Sequence, residues 1–207
     1  MKGMTPGQTQ RGTLGTLRFL FGDHVVQHKW DGSHLIVGAD SGGSTFVHNK
    51  KGTAFKQNVG GNPGWKDDVV RFAAAHDAVV AGELVHRSSY HGLETAFPCP
   101  RGSGLIKWPV FLPFDLMVVD GKDIRHHRYE ERQARLRDIC QHWRVHNHVR
   151  DWIVNRSYTT TEPGWVEAME EEAKHIGPAC EGFVLKHVDG RYVEGDSPKI
   201  IRLRCYG

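Results

Sequence analysis

The residues best placed to do chemistry lie in Gln27-His28-Lys29-Trp30-Asp31-Gly32, where a lysine precedes an Asp-Gly pair between apolar runs. An ordinary lysine, with a pKa of about 10.4, is neutral at pH 7 in only about one molecule in a thousand. Bringing that pKa to roughly 7 to 8 costs the ammonium form about 4 kcal/mol, which burial or adjacent positive charge can supply, and the amine is then a nucleophile. The alternative is a turn lysine in solvent. A second candidate is Glu83, the single acid in the apolar run from Ala78 to Val85. A buried carboxylate needs a partner: an Arg or Lys in a structural role, or a ribose hydroxyl or metal ion in a functional one. The segment Pro100-Arg101-Gly102-Ser103-Gly104 is glycine-rich but lacks the Gly-Lys-Ser/Thr ending of a phosphate-binding loop. Any nucleotide is therefore held by another architecture.

The elements that must position these groups follow from periodicity. Val25 and Val26 before the Asp-Gly pair and Leu35 to Val37 after it predict a hairpin with Lys29 at a strand end. Thr45 to His48 and Thr53 to Lys56, around Lys50-Lys51-Gly52, predict a second hairpin in the same sheet. Further strands are expected at Ala78–Val85, at Val110–Val119 with a turn at Asp120-Gly121, at Trp152–Tyr158, and at Gly182–His187 and Lys199–Cys205 around Asp189-Gly190. Helical spacing predicts Asp67–Ala75 capped by Asp67, Tyr129–Trp143, and Glu162–Ile176 stopped by Gly177-Pro178. Many strands with helices inserted singly imply an α+β domain of mainly antiparallel sheets flanked by helices. Residues 1–17, rich in glycine, read as a flexible leader, with the domain over 18–207.

A chain of 207 residues, 25% charged and 39% hydrophobic, is an ordinary globular domain rather than a disordered or membrane protein. It carries no apolar stretch of transmembrane length and no signal-peptide core, so a cytoplasmic location and no membrane partner are expected. Cys99, Cys140, Cys180 and Cys205 are dispersed without zinc-site spacing and are expected to be reduced. A formal charge of +3 permits a nucleic-acid partner without requiring one. The basic and histidine-rich stretches Arg125–Arg128 and His142–Arg150 are expected to be solvated helix surface.

In order along the chain stand Lys29-Trp30-Asp31-Gly32, Gly82-Glu83-Leu84, Pro113-Phe114-Asp115-Leu116, Glu181 to Lys186, and Arg202-Leu203-Arg204. This order and spacing resemble the nucleotidyltransferase (adenylylation) domain of ATP-dependent DNA ligases, in the superfamily that also holds RNA ligases and mRNA capping enzymes. The likeness runs from about residue 25 to 204. It implies that Lys29, with Asp31 beside it, attacks the α-phosphate of ATP and becomes AMP-linked, with its pKa depressed by the cations that gather around the phosphates. It further implies that Phe114 stacks on adenine, that Glu83 meets ribose or metal, and that Glu181 binds Mg2+ or Mn2+. Lys186, Arg202 and Arg204 would surround the phosphates, and Gln27, His28, Gly32, His34 and Lys50 would complete the nucleotide site. The implied partner is nicked duplex DNA, bound by backbone and shape without base specificity.

Some positions depart from the ligase pattern. His34 stands where an arginine is usual, Ala81 where an aspartate precedes the Gly-Glu pair, Asn49-Lys50 where Ser-Arg is usual, and Arg202 and Arg204 where lysines are usual. These ligases usually continue into an OB-fold domain beyond the position of Gly207, so a truncated chain, a separate OB-fold or clamp partner, or a stand-alone domain of reduced activity is expected. An RNA ligase, a capping guanylyltransferase and a non-catalytic nucleic-acid-binding domain of the same fold are the alternatives.

Overall fold

The computed structural model describes residues 2–11, 23–40, 42–56, 59–60, 64–87, 96–97, 105–147 and 157–204. In chain order the elements are β1 (Met4–Arg11), β2 (His24–Trp30), β3 (Ser33–Ala39), β4 (Thr45–Asn49), β5 (Val59–Gly60), α1 (Trp65–Ala75), β6 (Val79–Arg87), β7 (Ala96–Phe97), β8 (Ile106–Lys107), β9 (Val110–Val119), β10 (Lys122–Asp123), α2 (Tyr129–Asn147), β11 (Ser157–Thr159), α3 (Trp165–Ile176), β12 (Cys180–His187) and β13 (Gly195–Arg204). One sheet has the order β1-β13-β12-β2-β11 and a second the order β10-β9-β6-β3-β4, with β7 joined to β6. Pairing is antiparallel except at β1–β13 and β5–β8, which agrees with the expected α+β class.

The two sheets face each other and the helices cover their outer faces. On β3, Leu35 and Val37 point outward to meet Val69 and Phe72 of α1, while Leu136 and Cys140 of α2 join the same cluster. Ile36, between them, points inward to a second cluster with Ala81, Met117, Met4 and Ile200. Such period-two burial on both faces explains why the run reads as continuously apolar. Helix α3 lays Trp165, Met169 and Ala173 on Val26, Phe183 and Leu185 at the outer face of the first sheet. Among the described residues, no helix is long and apolar enough to cross a membrane.

Four expectations are corrected. The Asp31-Gly32 pair is not a hairpin turn: β2 pairs with β12 and β11, whereas β3 pairs with β4 and β6. The chain turns a corner from one sheet to the other, because a local turn signal does not choose strand partners; the two-faced burial of each strand does. The second predicted hairpin is reduced to β4 and a single bridge, His48 to Ala54, in the sheet of β3 rather than that of Lys29. Finally, Met4–Arg11 of the supposed leader is β1, hydrogen-bonded along β13 with a register shift where Pro6 lacks an N–H. Without it, β13 would be a bare sheet edge. The first helix also begins earlier than expected, at Trp65 with Gly64 as its cap, leaving Asp67 and Asp68 in the first turn, where they complement the helix dipole.

Candidate active site: a cleft between the two sheets

A cleft of about 520 Å³ opens where the two sheets part, and Lys29, Glu83, Phe114, Glu181, Lys186 and Arg202 all line it. Gln27 and Lys29 alternate on one face of β2 and so enter the cleft together. On β12, Val184 and Lys186 enter by the same alternation. Glu181 lies three residues from Val184 and would by that count face the opposite side, with Phe183. A bulge corrects the phase: Cys180 pairs with Trp30 and Gly182 with Lys29, leaving Glu181 as the extra residue. Gly182 takes a φ of 136°, a conformation that suits glycine. The bulge brings the Glu181 carboxylate into an ion pair with the Lys29 amine, both side chains being largely shielded from solvent.

The corner at Asp31-Gly32 brings in the second sheet. A Cβ on Gly32 would stand 2.5 Å from Glu83 Cγ and 2.7 Å from the Leu84 carbonyl, so this glycine is set by close approach. The Glu83 carboxyl accepts a hydrogen bond from the Gly32 backbone, and its pKa is pushed up to about 8, chiefly by burial, with Lys29 opposing. Across the β3–β6 pair, His34 stands directly opposite Glu83. Burial, with Lys186 and Lys50 nearby, lowers the His34 pKa to about 4, so the ring is neutral at pH 7. Its ring and that of Phe114 stand edge to face with centroids 5.2 Å apart, and its buried Nε2 has no hydrogen-bond partner among the described residues.

Phe114 is also a bulge residue, since Ala81 pairs with Asp115 and Gly82 with Pro113. Its carbonyl receives Lys186 Nζ at 3.3 Å, the Tyr129 hydroxyl at 3.1 Å and the Gln133 amide. Lys186 Nζ lies 4.5 Å from the centroid of the Phe114 ring and 4.6 Å from that of Tyr129. Burial lowers its pKa to about 8, against the opposing pull of Asp115 at 4.0 Å. Beneath, Arg132 grips Asp115 and donates from Nη1 to the carbonyls of His127 at 2.7 Å and Gly190 at 3.0 Å.

The cleft gathers nearly every residue named from the sequence. Asp31, Gly32, His34 and Lys50 line it as well. His28 borders it, but its ring turns to the α3 side, with Nε2 3.2 Å from the Met169 carbonyl oxygen and Nδ1 3.8 Å from Glu172; this side chain is a packing group. Arg204 continues β13 opposite Gly182, and its side chain lies outside the described residues. Of the basic stretches, Arg125 and Arg128 are engaged by Asp123, Glu194 and Asp189 at the surface. Cys140 and Cys180 are free thiols, as expected, while Cys99 and Cys205 lie outside the described residues.

Sequence reading missed Tyr129, Gln133, Tyr192 and Met4. The first two stand one turn apart at the start of α2 and carried no motif. Tyr192 receives the Met4 N–H at 3.1 Å and donates to the Lys2 carbonyl at 3.0 Å, which pins the first residues against the cleft.

Glu83 and Glu181 are the cleft carboxylates that suit a hard divalent cation, and among the described residues no group of three or more His, Cys, Asp or Glu could hold one. Two carboxylates completed by substrate phosphates is the way Mg2+ is usually held, so the donor set fits Mg2+ or Mn2+.

No curated protein sequence matches the chain. Among solved structures, a mycobacterial DNA ligase D complexed with ATP and MES is 19% identical with a TM-score of 0.63, covering 100% of this chain and 61% of its own. The Chlorella virus DNA ligase-adenylate is 13% identical with a TM-score of 0.59 over 98% and 69%. An archaeal ATP-dependent RNA ligase is 16% identical with a TM-score of 0.55 over 99% and 48%. The chain thus spans about three fifths of the ligase D chain, and these likenesses speak to the fold. Residues 16–202 match the family described as the ATP dependent DNA ligase domain, and the chain belongs to that family.

Proposed function

We propose that this domain is the catalytic core of an ATP-dependent polynucleotide ligase acting on nicked duplex DNA. The observation that carries the reading is the Lys29–Glu181 pair, set by a bulge inside a cleft that also holds Phe114, Lys186 and Arg202. A base lies against Phe114, while Lys186 and Arg202 face the phosphates and stabilise charge as it builds on them. The Lys29 nitrogen bonds to the α-phosphorus as the bond to pyrophosphate breaks. AMP then passes to a 5′-phosphate at the nick, freeing the lysine, and the neighbouring 3′-hydroxyl forms the phosphodiester and releases AMP.

Lys29 rests paired with the Glu181 carboxylate and must part from it before attack. A divalent cation held by Glu181 and Glu83 would supply charge neutralisation at the phosphates.

Intact-mass measurement after incubation with ATP and Mg2+ tests the reading. An added AMP that is lost in Lys29→Ala supports it. Absence of any adduct across nucleotides and metals overturns it in favour of a non-catalytic binding domain. Sealing of nicked DNA compared with nicked RNA decides between the DNA ligase reading and an RNA ligase, which the non-arginine residue at His34 also suits.

A further inference from the structure

Gln27 is 1% exposed, borders the cleft and carries an unmet need: its Oε1 accepts from the Tyr129 hydroxyl at 3.0 Å, but its buried Nε2 has no partner. A buried amide donor left unpaired is costly, and one that borders a cleft is open to a ligand's acceptor. Gln27 lies one strand repeat, about 6.8 Å, from Lys29 on the same face. The Tyr129 hydroxyl also lies 3.1 Å from the carbonyl of Phe114. The Gln27 amide is therefore beside the aromatic wall, where a nucleotide whose phosphorus meets Lys29 presents its base.

The Tyr129 hydroxyl has two acceptors within reach and one proton to give. When the proton goes to Gln27, the amide offers N–H to the cleft. When it goes to Phe114, the tyrosine oxygen can accept from Gln27 Nε2, and a half-turn of the amide offers C=O instead. Adenine carries a donor at its 6-position and hypoxanthine or guanine an acceptor, so the two states answer the two kinds of purine.

We propose that Tyr129 acts as a proton rotor on Gln27, so that this cleft charges Lys29 from 6-oxo purine nucleoside triphosphates, ITP and GTP, as well as from ATP. The inference rests on the nucleotidyl-transfer reading above. The chemistry is unchanged: the Lys29 nitrogen bonds to the α-phosphorus, the bond to pyrophosphate breaks, and the amine proton passes to solvent. Tyr129 is a positioning residue, acting through Gln27.

The test is intact-mass labelling of the whole chain with Mg2+ and ATP or ITP, which differ at the purine 6-position without the 2-amino group of guanine. ATP and ITP should label Lys29 with half-maximal concentrations within about tenfold of each other. Gln27→Glu, whose end only accepts, should shift the ratio toward ATP by tenfold or more. Tyr129→Phe, nearly isosteric, should raise the half-maximal concentration for both nucleotides by about tenfold, the cost of one buried hydrogen bond. Labelling by ATP with ITP and GTP excluded overturns this inference alone, as does a Tyr129→Phe variant with both concentrations unchanged. Labelling by no nucleotide overturns the ligase reading with it.

Discussion

Arg132 holds Asp115 with two parallel hydrogen bonds, Nε to Oδ1 at 2.8 Å and Nη2 to Oδ2 at 3.1 Å, and neither side chain is exposed. The Leu116 N–H adds a third bond to Oδ1 at 2.9 Å. The pair ties α2 to β9 directly below the Phe114 bulge. Because it is buried, its worth lies mainly in what happens when half of it is removed.

Arg132→Met strips Asp115 of its bidentate partner in the interior, leaving the Leu116 N–H and Lys186, at 4.0 Å, to face the charge. It should destabilise the domain by about 3 to 5 kcal/mol, read by urea denaturation. The double variant Asp115→Leu with Arg132→Met should recover much of that loss. A loss for Arg132→Met below about 1 kcal/mol would mean that the pair is not formed in solution.

Gly182→Val tests the bulge on β12. A β-branched residue is strained at a φ of 136° and favours regular pairing, which turns Glu181 toward Phe183. The AMP adduct on Lys29 should fall at least tenfold, while far-UV circular dichroism keeps its native shape. Unchanged labelling would mean that the phase of Glu181 is immaterial.

Gly32→Ala drives a methyl into Glu83 and the Leu84 carbonyl. Overpacking of this kind costs about 1 to 3 kcal/mol, measurable as a lowered denaturation midpoint. Glu83 is displaced from the cleft, so labelling should fall as well.

His34 gives a pH dependence of definite sign. Its folded pKa of about 4 lies below the unfolded value of 6.5, so the unfolded chain binds more protons between the two. The contribution is complete above pH 6.5 and is lost as pH falls toward 4, amounting at most to about 3 kcal/mol for this buried ring. In His34→Asn the stability slope between pH 6.5 and 4 should flatten; an unchanged slope would place the acid sensitivity elsewhere.

What could be read from the residues was the identity of the groups and the strands that bear them. Val110–Val119 was bounded correctly because its apolar run ends at a turn, where Asp120 and Gly121 both take positive φ. The stop of α3 was legible because Gly177, at a φ of 66°, ends the helix. Strand partnership was not legible. Lys29 and His34, five residues apart, belong to different sheets, and the pairs that decide this, Lys29 with Gly182 and His34 with Glu83, are distant in sequence. The bulges were equally hidden, because alternation counts residues and cannot mark the one that goes unpaired. The carboxylate beside Lys29 was hidden in the same way, because it is the extra residue of β12 that turns Glu181 inward.

Strand β1 has a practical consequence. Gly3 donates its N–H to the Lys50 carbonyl at 3.0 Å, and a Cβ there would sit 2.6 Å from His34 Nε2. A purification handle or reporter fused ahead of Lys2 would thus emerge at the rim of the cleft, crowding the mouth through which nucleotide enters.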